Sequence, residues 1–305
     1  MNGILNLYKP AGITSHTAVG IVRRVYGVKK AGHTGTLDPM ACGVLPILIG
    51  SAVKLSEYMI CNEKSYKARV QLGITTDTED TTGKILTQSD FLPDEAEIRQ
   101  AVMSFEGEYM QIPPMYSAIK KDGKKLYEIA RRGGEVEREP RKVNIDSIQI
   151  HSVGRDFCDF SVHCSKGTYI RTLCADIGKK LGCGGAMAAL ERLNVGIFDA
   201  ENAITPEALK EMSPDELQNS LMSIEDFFSG LEKVRLNSFF SALAMNGAHI
   251  FLSRIKLDAD MGQRVLLYNS DGKFFALGEV TEIEGEPAIK PIKMFFTLNE
   301  LNNKG

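Results

Sequence analysis

The chain has 305 residues, of which 43% are hydrophobic and 25% charged, with a formal net charge of −3. This composition is typical of a soluble globular protein, and the length favours a large domain followed by a small one. No apolar stretch approaches the ~18 to 20 residues of a membrane helix, and the first residues lack the basic start and apolar core of a signal peptide. We therefore expect a cytoplasmic location.

The cysteines and the charge distribution limit the chemistry further. Six cysteines stand at positions 42, 61, 158, 164, 174 and 183 without CxxC spacing or clustered histidines, so we expect reduced thiols, no metal and no cofactor. Residues 120–142 hold nine Lys or Arg against five Asp or Glu, whereas residues 200–232 hold eight acidic residues and one lysine. This asymmetry fits a protein that binds a polyanion on one side, although a solvated basic face is the commoner explanation.

The N-terminal third predicts strands and a helix around a glycine-rich loop. Residues 3–8 predict a strand, a helix follows from about 15 to 26, and the apolar run 44–49 predicts a buried strand. The loop 31–36 precedes Asp38, which is the first acidic residue of a stretch with six Lys or Arg up to Ser56. A lone carboxylate among cations is either an ion-pair partner or a chemical group, but composition alone favours Asp38 as a turn residue before Pro39.

Further elements follow in chain order. Residues 51–60 predict a short helix, and 64–72 predict a strand with Tyr66, Ala68, Val70 and Leu72 on one face. A polar loop is expected at 73–83, helices at 93–105, 124–132 and 168–180, and a hairpin at 142–152 and 157–164. Acidic helical pieces at 204–230 precede a helix near 239–247 and several short strands with turn signals, which suggest a small barrel.

Four sequence blocks resemble the TruB family of bacterial tRNA pseudouridine-55 synthases. They are KPAGITS, GHTGTLDPMACGVLPILIG, KSYKARVQLGITTDTED and HCSKGTYIRTLCADIGKKLGCGGAMAALERLNVGIF. The resemblance makes Asp38 the catalytic carboxylate and places Arg171 against it, where an arginine lowers the pKa of the carboxyl group. It also makes Tyr66 the residue that stacks on the flipped base.

The resemblance also implies RNA-binding residues. Lys9 and Pro10 lie beside the catalytic loop in the family, His33 contacts the target nucleotide or its neighbours, Tyr169 stands at the start of a helix, and Leu190 lines the apolar pocket. The block IPPMYSAIKKDGKKLYEIARRG resembles a flexible insertion, at about 112–142, that clamps the tRNA. Its cations would bind phosphates; they are Lys120, Lys121, Lys124, Lys125, Arg131 and Arg132.

The implied protein is an α+β enzyme with a mixed, mostly antiparallel sheet in residues 1–230 and a small β-rich, PUA-like domain in 231–305. It would isomerise uridine 55 in the tRNA T-loop after base flipping, as a monomer that binds the T-loop and stem and needs no protein partner. The segment 191–194 departs from the family pattern, since Glu191 reverses a charge. A non-catalytic RNA-binding protein and a synthase with another RNA target stay open as alternatives.

Overall fold

The structure is a computed structural model that describes residues 1–59, 63–117, 119–121, 123–130, 132–297 and 300. The strands of these residues are β1 (Gly3–Lys9), β2 (Ala31–His33), β3 (Cys42–Ile49), β4 (Glu63–Leu72), β5 (Ile74–Thr76), β6 (Ile85–Gln88), β7 (Gly107–Gln111), β8 (Lys120–Lys121), β9 (Lys124–Lys125), β10 (Arg141–Val153), β11 (Phe157–Ser165), β12 (Gly185–Val195), β13 (Phe198–Asp199), β14 (Leu221–Met222), β15 (Glu232–Arg235), β16 (Ile250–Phe251), β17 (Arg264–Tyr268), β18 (Phe274–Ile283) and β19 (Glu286–Met294).

The helices lie between these strands and pack on the sheets. They are α1 (Ser15–Val25), α2 (Glu95–Met103), α3 (Leu126–Ala130), α4 (Ile170–Lys180), α5 (Pro206–Glu211), α6 (Pro214–Asn219), α7 (Ile224–Phe227), α8 (Ser238–Met245) and α9 (Leu252–Ile255), with a 3-10 helix at Gly50–Leu55. No helix in the described part of the chain is long and apolar enough to cross a membrane.

The larger sheet confirms the predicted fold class. Within the described residues it has the strand order β14-β1-β3-β12-β4-β11-β10-β7, with β2 on β3 and β13 on β12. Strands β3 and β12 pair in parallel, and the other pairs of this sheet are antiparallel. The fold is therefore α+β with a mixed, mostly antiparallel sheet.

Strand β12, at the centre of this sheet, was not predicted from the sequence. It pairs with β4 through two register shifts, between Met187 and Ala189 and between Arg192 and Asn194. Such bulges interrupt the alternation of buried and exposed side chains on which strand prediction depends. The bulged strand nevertheless brings Leu190 and Arg192 beside β4.

Three further sequence predictions need correction. The expected polar loop at 73–83 begins with β5, which pairs with β6, because its β-branched residues suit an extended backbone. The expected helix at 124–132 is shorter, since β8 pairs with β9 at Lys124–Lys125 and, among the described residues of this stretch, only α3 is helical. The helix expected at 51–60 is the 3-10 helix up to Leu55, and residue 60 lies outside the described residues.

The C-terminal strands form a second sheet that packs on the first. Among the described residues its order is β15-β17-β18-β19-β16, which is the small β-rich unit expected here; β15 and β16 do not pair, so the predicted small barrel is not closed by hydrogen bonds. Val44 and Leu48 of β3 pack with this C-terminal unit, whereas Leu45 and Ile47 pack toward α1. Burial on both faces explains why β3 is a continuous apolar run. The division at residues 230 and 231 stays a prediction.

Candidate active site

The loop that carries Asp38 is fixed on both sides of this residue. The Ser15 hydroxyl, at the start of α1, accepts from the Leu37 amide and donates to the Leu37 carbonyl, each at 2.9 Å. The Gly12 amide donates to the Pro39 carbonyl at 2.8 Å. Helix α1 begins here because the Thr14 side chain accepts from the Thr17 amide, which satisfies a free helix N–H. The backbone around Asp38 is therefore held before any ligand binds.

Arg171 meets Asp38 in a nearly bidentate ion pair, as the resemblance implied. Its Nε lies 2.8 Å from Asp38 Oδ2 and its Nη2 lies 3.5 Å from Oδ1. The Asp38 side chain keeps 32% of its surface exposed, whereas that of Arg171 keeps 7%. The carboxylate thus faces an open space while its cationic partner lies beneath it.

The remaining donors of Arg171 are used within the protein. Nη1 donates to the Thr78 carbonyl at 3.1 Å and Nη2 to the Tyr116 carbonyl at 2.8 Å. Asp80 Oδ2 lies 4.0 Å from Nη1, so the guanidinium stands between two carboxylates. Arg171 therefore cannot swing away from Asp38 without breaking several buried contacts.

Asp80 is a site residue that the sequence analysis missed. It is 5% exposed, and its Oδ1 accepts from the Thr78 hydroxyl at 2.8 Å and from the Thr82 hydroxyl and amide at 2.6 and 3.0 Å. The available signal was an acidic residue between threonines in TDTEDTT, which is typical of a carboxylate that orders its own loop.

Burial raises the pKa of the Asp38 carboxyl group above its ordinary value. Arg171 opposes this rise, and the charge of Asp80 adds to it. The expected lowering of the pKa by Arg171 is present, but it does not outweigh desolvation, so the net direction is opposite to the expectation. Asp38 is consequently a more basic carboxylate than an exposed aspartate.

Tyr66 and Arg192 form a second buried pair beside the loop. Arg192 is 2% exposed; its Nε donates to the Val44 carbonyl at 2.7 Å and its Nη2 to the Gly35 carbonyl at 3.2 Å. The phenol of Tyr66, which is 8% exposed, is hydrogen-bonded to the same guanidinium. Arg192 thus connects the glycine-rich loop, β3 and Tyr66, although it lies in the segment 191–194 that departs from the family pattern.

The environment of Lys9 disfavours the predicted contact with RNA. Lys9 is 0% exposed, and its ammonium donates to the carbonyls of Pro10 and Ile13 at 2.8 Å and of Pro39 at 3.5 Å. Burial lowers the pKa of this amine to about 8. These bonds occupy the N–H donors of Lys9 within the turn beside Asp38. Lys9 therefore lies beside the catalytic loop, which the resemblance also implied.

The other predicted nucleotide contacts surround the same space. His33 ends β2, and burial lowers the pKa of its imidazole. Tyr169 precedes α4, and Gln111 bonds both its backbone amide and its carbonyl. Leu190 is 8% exposed on β12, opposite Ala68 of β4. Their roles toward RNA stay predictions.

The basic insertion is described only in part. Lys124 and Arg132 are exposed, whereas Arg131 lies outside the described residues, as do the side chains of Lys120, Lys121 and Lys125. The insertion reaches the site through the Tyr116 carbonyl, which accepts from Arg171. In the described part of the chain, no group of three His, Cys, Asp or Glu is placed to hold a metal ion.

A carboxylate paired with a buried arginine beside a tyrosine contains the groups that acid–base and nucleophilic chemistry uses. Two sequence families match the chain: TruB family pseudouridylate synthase (N terminal domain) at residues 23–170, and tRNA pseudouridylate synthase B C-terminal domain at residues 171–229. The chain belongs to the TruB family of pseudouridylate synthases, which makes it an isomerase.

Curated relatives match over nearly the whole length. A tRNA pseudouridine synthase B of Clostridium tetani is 44% identical over 291 residues, covering 95% of this chain and 99% of the relative. One of Alkaliphilus oremlandii is 45% identical over 299 residues, covering 97% and 99%. Among solved structures, a chain of a Cbf5–Nop10–Gar1 complex aligns with a TM-score of 0.70 and 26% identity, covering 98% of this chain and 86% of that chain.

Proposed function

We propose that this protein isomerises uridine 55 in the T-loop of tRNA to pseudouridine, with Asp38 as the catalytic carboxylate. The observation that carries the proposal is the ion pair in which Arg171 holds a partly exposed Asp38 from below, at 2.8 Å. The relatives' names support tRNA as the substrate. The four sequence blocks that resemble the family support the T-loop uridine as the target.

Recognition would begin with the RNA backbone. The T-loop docks between the basic insertion and the loop Gly32–Gly35, and residues 231–305 contribute the small PUA-like domain. The target uridine then leaves the base stack, which costs roughly a few kcal/mol. Stacking on Tyr66 offsets about 1–3 kcal/mol of this cost. Arg192 keeps Tyr66 in place for this contact.

The chemical step breaks the bond between N1 of uracil and C1′ of ribose and forms a bond between C5 and C1′. Asp38 begins it as an ionised group, either by attack on the base or by attack at the sugar. Its desolvated position makes the carboxylate a better nucleophile than an aspartate in water. After the new bond has formed, the bond to Asp38 is broken, C5 loses its proton and N1 gains one, so that the product is an isomer of the substrate and Asp38 is regenerated.

Tritium release from [5-³H]uridine in T-loop RNA tests the proposal. The wild-type protein should release tritium, and Asp38→Asn should lose activity by about 10³-fold or more, because the isosteric amide has no nucleophilic oxygen anion. The variant should still bind tRNA, since Asp38 carries little of the phosphate contact. Substantial turnover by purified Asp38→Asn would overturn the role of Asp38.

Two comparisons separate the alternatives. A T-loop in which uridine 55 is replaced by cytidine should give no release, whereas release from another position would indicate a different target. Wild-type protein that binds tRNA tightly without any release would favour the non-catalytic RNA-binding protein. Thermal unfolding of Asp38→Asn serves as the control for folding.

A further inference from the structure

The exposed face of α1 is a basic strip that the proposed mechanism does not use. Arg23 and Arg24 are exposed at the end of this helix, and Lys29 and Lys30 are exposed in the segment that leads to β2. No acidic residue precedes Asp38 in the chain. In the described part of the chain, none of these four cations is within 4 Å of a carboxylate oxygen, and the charge of Lys30 interacts with that of Glu300. The strip therefore carries a net positive charge.

Helix stability explains only part of this arrangement. Cations in the last turn of a helix interact with its dipole, which is worth about 0.3–1 kcal/mol at a surface site and accounts for Arg23 and Arg24. Lys29 and Lys30 lie beyond the helix, after Gly27, whose φ of 62° ends it. Their charges gain nothing from the dipole and repel the other two cations.

A glycine in the middle of the same face provides an independent observation. Gly20 is exposed, and a Cβ built on it would have no atom within 4 Å, so packing does not require a glycine here. Glycine in a helix interior costs about 1 kcal/mol relative to alanine. A bare backbone at this position permits the close approach of another chain.

The strip leads back to the catalytic loop. His16, Gly20 and Arg24 follow each other at four-residue spacing, so they share one side of α1. At the N-terminal end of the helix, Ser15 bonds Leu37, and His16 lies close enough to His33 to contribute, after burial and Arg192, to the lowering of the pKa of His33. Lys30 directly precedes β2 and the glycine-rich loop, whereas Arg24 lies about 14 Å along the helix axis from Ser15, because the two residues are nine positions apart in α1. That distance exceeds what one flipped nucleotide spans.

We infer that the α1 strip (His16, Gly20, Arg23, Arg24, Lys29 and Lys30) binds the sugar-phosphate backbone of the tRNA stem beyond the T-loop. The inference rests on the proposed function, since it extends the substrate contact of the same site. Phosphates would contact the four cations, and Gly20 would let the RNA backbone approach the helix. The strip supplies affinity and orientation and takes no part in the chemical step.

The test measures binding at several salt concentrations with two RNAs, full-length tRNA and a T-loop hairpin with a shortened stem. The variants are Arg23→Gln/Arg24→Gln and Lys29→Gln/Lys30→Gln, with Arg155→Gln/Lys179→Gln as a control pair of exposed cations elsewhere. Each α1 pair should lower the affinity for full-length tRNA about tenfold or more and reduce the salt slope by about 1 per lost phosphate contact. The control pair and the short hairpin should show neither effect.

Gly20→Ala provides the sharpest comparison. Alanine should raise the melting temperature because it is the better helix former, yet it should weaken tRNA binding if the RNA backbone approaches position 20. A variant that is more stable and binds tRNA less tightly cannot be explained by damage to the fold. Unchanged tRNA affinity in Gly20→Ala and both α1 pairs would overturn the inference.

The two proposals fail differently. If wild-type protein releases no tritium from either RNA, the proposed function fails, whatever the salt slopes are. If the wild type is active on both RNAs but the α1 variants keep the wild-type salt slope on tRNA, only the inference about the α1 strip is wrong. Equal losses on tRNA and the short hairpin would also contradict it, since they would place the contact at the T-loop.

Discussion

Two regions of the molecule differ in the sequence separation of the hydrogen bonds that hold them. One is the basic insertion (residues 112–142), and the other is the catalytic cluster, which consists of Asp38, Asp80, Arg171, Tyr66 and Arg192. Arg171 and Asp38 are 133 residues apart in the chain, and Arg192 and Val44 are 148 apart. The described bonds of the insertion are mostly local, such as the Tyr127 amide to the Ser117 carbonyl and Arg138 to the Pro113 carbonyl.

This difference corresponds to two roles: the cluster carries out the chemical step, and the insertion binds the RNA. A cluster of buried, long-range bonds positions the reacting carboxylate before RNA arrives, which is what preorganised catalysis requires. A segment with local bonds and exposed cations can adjust to a flexible polyanion. Changes in the cluster should therefore lower kcat, and changes in the insertion should raise KM and alter salt dependence. The following experiments test this separation, from the largest expected effect to the smallest.

Arg171→Gln should give the largest loss after Asp38→Asn. It removes the charge that holds Asp38 ionised, and it leaves Asp38 and Asp80 facing each other, so we expect kcat to fall by about 10²–10³. Since Arg171 opposes the rise in the pKa of Asp38, the acid limb of the kcat/KM profile should move to higher pH. An acid limb at the wild-type pH in this variant would show that Arg171 does not affect the ionisation of Asp38.

Arg192→Met should damage both stability and rate. It leaves the Gly35 and Val44 carbonyls and the Tyr66 hydroxyl without their buried donor, at about 1–3 kcal/mol for each unsatisfied group. Arg69→Met is the matched control, because Arg69 is an exposed arginine paired with Asp159 at 2.6 Å, worth about 0–1 kcal/mol. Denaturant unfolding and kcat measure both effects. Equal losses of stability and of kcat in the two variants would contradict the claim that the buried bonds of Arg192 hold the site together.

Replacing Lys120, Lys121, Lys124 and Lys125 together with alanine should leave kcat at saturating tRNA nearly unchanged. KM should rise, and the slope of log affinity against log salt should become shallower by about 1 for each phosphate contact that is lost. Binding titrations between low and moderate salt measure this slope. If this variant keeps the wild-type slope, the insertion does not bind the phosphates of the RNA.

Asp80→Asn should give the smallest and most specific effect. The charge of Asp80 raises the pKa of Asp38, so its removal should lower that pKa and move the acid limb of the activity profile to lower pH. Asparagine keeps the shape of the side chain and can still bond Thr82. The shift is opposite in sign to that expected for Arg171→Gln, and shifts in the same direction would show that neither acts through charge.

Local signals were sufficient for much of the fold. The helix expected from about 15 to 26 and the alternation of Tyr66, Ala68 and Val70 each follow from signals within a few residues, and these predictions are confirmed. Strand β12 was missed because its bulges break the alternation. The predicted small barrel is not closed by hydrogen bonds among the described residues, because turn signals identify hairpins but do not determine whether the two edges of a sheet meet.

The sequence by itself identified Asp38 through a long motif and gave it Arg171 and Tyr66 as partners by resemblance. Only the tertiary structure decided that Asp80 stands on the other side of Arg171 and that Arg192 binds Tyr66 and the Gly35 carbonyl. Only the structure decided that Lys9 is buried and that the pKa of Asp38 is raised. The physical reason is that desolvation and convergent hydrogen bonds depend on which distant segments exclude water together, and a motif specifies residue types without that surrounding.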